Sequence, residues 1–137
     1  VQEMVADSYI DLEQFRLLVL QTAWKIDQVG GHKARTEIAA VKVLTPKVLH
    51  DIVYRALHIH GALGVSNEMP LSGMWAMLPV MGIADGPTEV HKVTIARQVL
   101  KRYEPYEGLW PPEHLPERRA EARKKFAHLL EHQAAEL

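Results

Sequence analysis

The segment "IAAVKVLTPKVLHDIVYRALHIH", residues 38–60, decides the fold class of this chain. Apolar and small side chains recur along it at steps of three or four, which places them on one face of an α-helix. The face consists of Ile38, Val41, Thr45, Val48, Ile52, Ala56 and Ile59. The spacing predicts one long amphipathic helix. Pro46 should kink it, because the proline ring removes a backbone donor and crowds the carbonyl four residues earlier.

Similar spacing predicts a helix before this one and two after it. The earlier helix ends at Gly30-Gly31, and its predicted inward stripe is Val5, Tyr9, Leu12, Val19, Ala23 and Ile26, flanked by Phe15, Leu18 and Thr22. A short helix is predicted from Leu71 to Pro79. The next runs from Thr88 to about Arg102, with inward Val90, Val93, Ala96, Val99 and Leu100. Trp24 and Trp75 lie on these stripes, and we predict that both are core residues.

The last third of the chain has a different composition. The run "YEPYEGLWPPEHLP", residues 103–116, predicts a proline-rich linker, and Glu117 to Glu136 predicts a charged amphipathic helix. Its apolar side would carry Ala122, Phe126, Leu129, Leu130 and Gln133. No stretch alternates as a strand would. The expected fold is therefore all-α, a four-helix-bundle-like domain of antiparallel helices with a C-terminal helical extension.

Composition excludes several classes of function. A formal net charge of -1 over 137 residues gives no global field that would attract nucleic acid. No stretch approaches the roughly 20 apolar residues that span a bilayer. The chain has no cysteine, and its eight histidines do not form a zinc motif: His58 and His60 point to different helix faces, while His128 and His132 lack a nearby acid. We therefore expect no metal site.

Two loops have the composition of a binding site. In "IADGPTEVHKVTIAR", residues 83–97, Asp85 is either a plain helix cap or a carboxylate held against a ligand as a general base. In "HIHGALGVS", residues 58–66, the two glycines either make a cap and turn or allow a phosphate to approach the backbone. Spacing favours the turn for this second loop and leaves both interpretations of Asp85 open.

Together, "AAVKVLTPKVLHDIVYRALHIHGALGVSNEMPL" (39–71) and "IADGPTEVHKVTIARQVL" (83–100) resemble the C-terminal helical domain of the acyl-CoA dehydrogenase family. The resemblance extends from Val5 to Lys101 by helix order. It is strongest to the subgroup that has Ile-Ala-Asp-Gly-Pro where most members have Glu-Gly-Thr. It implies that residues 1–103 are this domain without its first helix, that the N-terminal and middle β-domains are absent, and that residues 104–137 are the linker and helical extension.

The resemblance also implies an activity. Family members use a carboxylate to remove the α-proton of an acyl-CoA thioester while the β-hydrogen passes as hydride to FAD, which leaves a 2-enoyl-CoA. Asp85 falls on the position of the catalytic glutamate and is one methylene shorter. Some members carry the base on the domain's first helix instead, so a residue outside this chain is the alternative base.

The implied FAD contacts come from two motifs. The family's Gln-Ile-x-Gly-Gly-x-Gly loop falls on residues 58–64, and its Glu-Gly-Thr motif falls on residues 85–87. This sequence departs from them at His58, Ala62 and Pro87. The expected cofactor-binding residues are His58, His60, Gly61, Ala62, Gly64, Gly86, Pro87, Thr88 and Glu89.

The resemblance further implies an acyl-CoA substrate, a homo-oligomer (dimer or tetramer) and an electron-transferring flavoprotein-type acceptor. The compartment would be the cytoplasm of a bacterium, or the mitochondrion or peroxisome of a eukaryote. An alternative of a different class is a non-catalytic helical module for oligomerisation or assembly. On either interpretation, we predict that the 137-residue chain alone has no dehydrogenase activity.

Overall fold

The computed structural model describes residues 1–127, in which all regular structure is helical. The helices are α1 (Gln2–Val29), α2 (Arg35–His60), α3 (Leu71–Ile83), α4 (Thr88–Leu100) and α5 (Leu115–Lys125). The all-α prediction is confirmed. Of the predicted last helix, Leu129, Leu130 and Gln133 lie outside the described residues, as do His128 and His132.

The chain divides into two compact units, Val1–Arg102 and Tyr103–Leu137. In the first unit α2 is the central helix, and it packs against α1, α3 and α4. The buried apolar side chains are few and mostly small: Ala34, Ala39, Val48, Val53 and Leu78. In the second unit the ring of Trp110 stacks on His114, with centroids 4.6 Å apart, immediately before α5 begins.

Polar side chains hold α1 against α2. The guanidinium of Arg55 donates to Asp11 Oδ2 over 2.7 Å, and this hydrogen bond is the main cause of the raised pKa of Arg55. Lys25 forms an ion pair with Glu37 near the other end of the interface. Burial acts to raise the pKa of Glu37, but hydrogen bonds from Lys25 and from the backbone, together with nearby positive charge, outweigh it and leave that pKa lowered.

The inward face of α1 is therefore not the predicted apolar stripe. Thr22 is buried, and Met4, Ser8, Asp11, Phe15, Leu18 and Lys25 are partly buried. Val5, Tyr9, Leu12, Val19, Ala23 and Ile26 of the predicted stripe are exposed. Trp24 is 62% exposed, so its prediction as a core residue is wrong. The error arises because apolar periodicity ignores polar residues that have partners on a neighbouring helix.

The predicted inward face of α4 is also largely wrong. Val90, Val93, Ala96 and Leu100 are exposed, and only Val99 of the predicted set is partly buried. The other partly buried positions of α4 are Thr88, His91, Thr94, Ile95 and Gln98. Polar side chains again share the face that is turned away from solvent.

Pro46 and Pro79 lie within helices and do not end them. Pro46 is inside α2, and α3 continues through Pro79 to Ile83, so the predicted end of this helix at Pro79 is wrong. Near that end, Lys42 Nζ of α2 donates to the carbonyl oxygen of Met81 over 2.5 Å. A lysine is a suitable partner for the free carbonyls of a last helical turn. Lys42 thereby attaches the C-terminal end of α3 to α2.

Candidate functional site

The turn between α3 and α4 has an unusual backbone at Asp85. Its φ of 55° is the one positive φ among the non-glycine residues in the described part of the chain, and Gly86 follows with a φ of 105°. Pro87, with φ −59° and ψ 148°, then occupies the N-cap position of α4. No side chain caps that helix, so the interpretation of Asp85 as a plain helix cap is wrong.

Hydrogen bonds hold this turn on both sides. The N–H of Ala84 donates to the carbonyl of Val80 over 2.8 Å at the end of α3. The Thr88 hydroxyl donates to the carbonyl of Gly82 over 3.3 Å, and His91 Nε2 lies 3.2 Å from the carbonyl oxygen of Asp85. The side chain of Asp85 is exposed, and no side chain within residues 1–127 forms a hydrogen bond or ion pair with its carboxylate.

Gly61 and Gly64 follow α2, and glycine suits each of these positions for a different structural reason. Gly61 has a φ of 56°, and a Cβ built there would meet nothing within 4 Å, so its backbone faces open space. Gly64 is buried, and a Cβ there would lie 2.9 Å from the carbonyl oxygen of Leu57. The N–H of Gly64 also donates to the carbonyl of Gly61 over 3.0 Å. The geometry thus supports a cap and turn, and it leaves Gly61 accessible to a ligand.

Two neighbouring cavities lie along α2 and α3. One has a volume of about 370 Å³ and is lined by Tyr54, Leu57, His58, Gly61, Val65 and Trp75. The other has a volume of about 520 Å³ and is lined by Pro46, Lys47, His50, Trp75, Leu78, Pro79, Gly82 and Thr88. The indole of Trp75 lines both cavities. It therefore connects the cavity that contains His58, at the end of α2, with the cavity that contains Thr88, at the start of α4.

Aromatic rings form the surface between these cavities. The ring centroids of Tyr54 and His58 are 4.4 Å apart, and those of His50 and Trp75 are 4.9 Å apart. Trp75 is 37% exposed, so it is a wall of the site and not the core residue that we predicted. Sequence reasoning missed Tyr54 and His50. The spacing of four residues from His50 to Tyr54 to His58 was the signal that could have found them.

The predicted site residues are only partly brought together. His58 and Gly61 line the first cavity, and Thr88 lines the second. Glu89 lines a separate cavity of about 260 Å³ with Val90, Val93, Thr94 and Arg97. The His60 ring bonds back to the carbonyl of Ala56 over 2.9 Å, Gly64 is buried, and Ala62 is exposed. Asp85, Gly86 and Pro87 line none of these three cavities.

Within residues 1–127, no three histidine, aspartate or glutamate side chains come close enough together to hold a metal ion. None of the helices in this part of the chain combines the length and the apolar character needed to cross a membrane.

These observations define a helical domain that presents a conformationally restricted aspartate turn beside an aromatic-lined cleft. The family model described as "Acyl-CoA dehydrogenase, C-terminal domain" matches residues 1–100 of this chain. The chain therefore belongs to the acyl-CoA dehydrogenase family.

Individual relatives are consistent with this assignment. FadE2 of Mycobacterium tuberculosis, described as a probable acyl-CoA dehydrogenase, is 43% identical over 102 residues, covering 74% of this chain and 25% of that protein. Acyl-CoA dehydrogenase family member 11 of Rattus norvegicus is 44% identical over 101 residues, covering 74% of this chain and 13% of that protein.

A solved structure from Mycobacterium abscessus, assigned to the acyl-CoA dehydrogenases, superimposes with a TM-score of 0.72 at 39% identity. The match covers 75% of this chain and 25% of that one. The chain thus spans about a quarter or less of the relatives that it matches.

Proposed function

We propose that this chain is the C-terminal part of an FAD-dependent acyl-CoA dehydrogenase and that Asp85 is its catalytic base. The observation that carries the proposal is the backbone of Asp85, which is held at a φ of 55° between two helices and leaves the carboxylate without a partner among the described residues. A carboxylate with no structural partner that is fixed in a restricted turn is suited to proton transfer.

In this proposal Asp85 takes the α-proton of a bound acyl-CoA thioester. The C–H bond at the β-carbon then breaks with its electron pair, and the product is a 2-enoyl-CoA. FAD supplies the hydride acceptor when it is bound. The side chain of Asp85 is one methylene shorter than that of the glutamate that most family members have. The position of the turn must therefore compensate for the shorter reach of the carboxylate. A misplacement of about 1 Å can cost on the order of 100-fold in rate.

The proposed FAD contacts fit the structure in part. His58 and Gly61 line one cavity, and the open space at Gly61 lets a ligand approach the backbone closely. Thr88 and Glu89 begin α4, where free N–H groups attract negative charge. We include His60, Ala62, Gly64, Gly86 and Pro87 in the proposed contact set. Gly64 would act by keeping the loop close to α2, because it is buried.

The proposal is tested in the intact flavoenzyme, because this chain spans only part of its relatives. We expect Asp85→Asn to lower the rate of flavin reduction by an acyl-CoA about 100- to 10,000-fold, which is the typical contribution of a general base. Bound FAD, measured by its visible absorption, should be unchanged. Asp27→Asn, a matched change at an exposed position of α1, is the control. Undiminished reduction in Asp85→Asn would refute the assignment.

The remaining partners follow from the same proposal. The substrate would be an acyl-CoA, and reduced FAD would pass its electrons to an acceptor of the electron-transferring flavoprotein type. The domain assignment of residues 1–103, with residues 104–137 as an extension, is likewise part of the proposal.

A second candidate function is assembly, and the exposed face of α1 favours it. Tyr9 is 65% exposed, and Leu12 and Leu20 are each at least half exposed, although all three are apolar or aromatic. Burying a large apolar side chain contributes about 1.5–3 kcal/mol, so covering this face would be favourable. We propose that α1 pairs with a second copy in a homo-oligomer, a dimer or tetramer. This function is compatible with catalysis by the whole enzyme.

Sedimentation of the intact protein tests the assembly function. We expect Leu12→Glu combined with Leu20→Glu to dissociate the oligomer, because two charges would be buried at the contact. Gln14→Glu combined with Gln21→Glu adds the same charge at exposed positions on another side of α1 and should leave assembly intact. An unchanged sedimentation coefficient in the leucine variant would exclude this face as the contact.

A further inference from the structure

His91 lies in the first turns of α4 and contacts the peptide group of Asp85. Its Nε2 lies 3.2 Å from the carbonyl oxygen of Asp85. A carbonyl oxygen only accepts hydrogen bonds, so Nε2 must carry a hydrogen and act as the donor. The contact therefore defines the tautomer of a neutral His91, with the proton on Nε2 and none on Nδ1.

The same ring lies against the backbone of Gly86. A Cβ built at Gly86 would be 3.2 Å from His91 Nε2, and 3.9 and 4.0 Å from its Cδ2 and Cε1. This is tighter than an ordinary van der Waals contact at Nε2. Glycine therefore suits position 86 because of its φ of 105°, and a Cβ there would also press against the imidazole of His91.

The other hydrogen bonds of the turn act on its flanks. Ala84 bonds to Val80, and Thr88 bonds to Gly82, but neither contact involves the peptide of Asp85. Among the side chains of residues 1–127, His91 is the one that bonds to this peptide. A left-handed backbone at a residue other than glycine persists only when its surroundings restrain it, and His91 provides a direct restraint.

We propose that His91 is a positioning residue: its Nε2–H holds the peptide of Asp85 in the left-handed conformation and thereby fixes the direction of the Asp85 carboxylate. The inference rests on the proposed function of Asp85 as the base. It assigns His91 no contact with substrate or cofactor.

Kinetics of the intact flavoenzyme provide the first test. We expect His91→Leu, which has no donor, to lower the rate of flavin reduction by about 10- to 100-fold, as expected for a misplaced reacting group. KM for the acyl-CoA and the bound FAD should change little. His91→Gln keeps an N–H donor on a side chain of similar reach and should restore most of the rate. In an Asp85→Asn background, His91→Leu should cause no further loss, because positioning matters only while the base is present.

NMR of the 137-residue chain provides a readout that is independent of activity. With ¹⁵N-labelled histidine in mildly alkaline buffer, we expect a protonated His91 Nε2, a bare Nδ1, and an Nε2–H signal slowed in its exchange with water. The amide signal of Gly86 should shift in His91→Leu and return toward its original position in His91→Gln. A proton on Nδ1 in the unmodified chain would overturn the inference without the use of any variant.

The outcomes separate the two proposals. If Asp85→Asn abolishes reduction but His91→Leu reduces flavin at the original rate, only the positioning role fails. Equal losses in His91→Leu and His91→Gln would also overturn that role, because a packing effect and not the donor would then be responsible. Undiminished reduction in Asp85→Asn would overturn the proposed base and, with it, the positioning role. The NMR measurement would still decide whether the contact between His91 and Asp85 exists.

Discussion

The backbone at Asp85 has energetic consequences that can be separated from catalysis. Its φ of 55° is tolerated by aspartate better than by most residues other than glycine, because a short polar side chain can bond locally. Alanine has no such tolerance. The residue type at this position therefore affects stability as well as the proposed chemistry.

We predict that Asp85→Ala lowers the free energy of unfolding and that Asp85→Gly leaves it nearly unchanged. The two variants should differ by about 1 kcal/mol, because glycine adopts positive φ without steric cost. Urea unfolding of the two variants measures this difference. Equal stability of the alanine and glycine variants would show that this residue does not hold a left-handed conformation in solution.

Gly64 gives a second prediction at the scale of one residue. Gly64→Ala would place a Cβ 2.9 Å from the carbonyl oxygen of Leu57, and a backbone atom cannot move aside easily. We expect a loss of about 1–3 kcal/mol in the free energy of unfolding, as for other overpacked sites. Gly73→Ala is the matched control, since it lies inside α3 with nothing within 4 Å. That variant should gain about 0.5–1 kcal/mol from helix propensity.

At the scale of elements, two ion pairs join α1 to α2. Lys25 and Glu37 join the two helices near the C-terminal end of α1, and Arg55 joins Asp11 farther toward its N-terminus. All four residues can be read from the sequence, but each ion pair joins residues of two different helices. The pairs could therefore be identified only once the relative positions of the helices were known.

We predict that Glu37→Gln destabilises the chain at neutral pH and that this effect disappears in acid. The pKa of Glu37 is lowered in the folded state from its ordinary value of 4.5. Its ionised form therefore stabilises the fold fully above that value, and the stabilisation is lost as pH falls through the lowered folded pKa. Unfolding of both proteins between neutral pH and strong acid measures this.

Glu13→Gln is the control for this experiment. Glu13 pairs with Arg16 on the same exposed helical surface, so its loss should change stability by only a few tenths of a kcal/mol, about the value of a surface pair. A Glu37→Gln effect that is equal at all pH values would mean that the lost charge is not its cause.

At the scale of the whole molecule, the first unit has a small core and a large exposed apolar surface. The buried apolar residues include only one leucine, Leu78, whereas Trp24 on α1 is 62% exposed. Small cores provide limited stability to a domain of this size. Covering α1 by another surface is the natural source of further stability.

The fluorescence of Trp24 can show whether the exposed face of α1 becomes covered. In a variant that retains Trp24 alone, with Trp75→Phe and Trp110→Phe, we predict strong acrylamide quenching at low protein concentration and weaker quenching as the oligomer forms. A variant that retains only Trp110, in the second unit, should show no such dependence on concentration. Protection of Trp24 at the lowest concentration would contradict its exposed position in the monomer.

The sequence by itself determined the helices, the positions of the turns and the family. Periodicity and glycine placement are local properties, so α1, α2 and α4 could be located within a few residues, and the two motifs indicated the acyl-CoA dehydrogenase domain. The positive φ at Gly30 and Gly61 also follows from local helix termination.

Only the tertiary structure decided which faces of α1 and α4 are buried. Asp11 and Lys25 face α2 because they have charged partners there, while the apolar stripe of α1 remains exposed. The shared role of Trp75 in two cavities and the contact of His91 with Asp85 likewise depend on how elements meet. Hydrophobic periodicity records how apolar a face is, but burial depends on which surface is available to cover it.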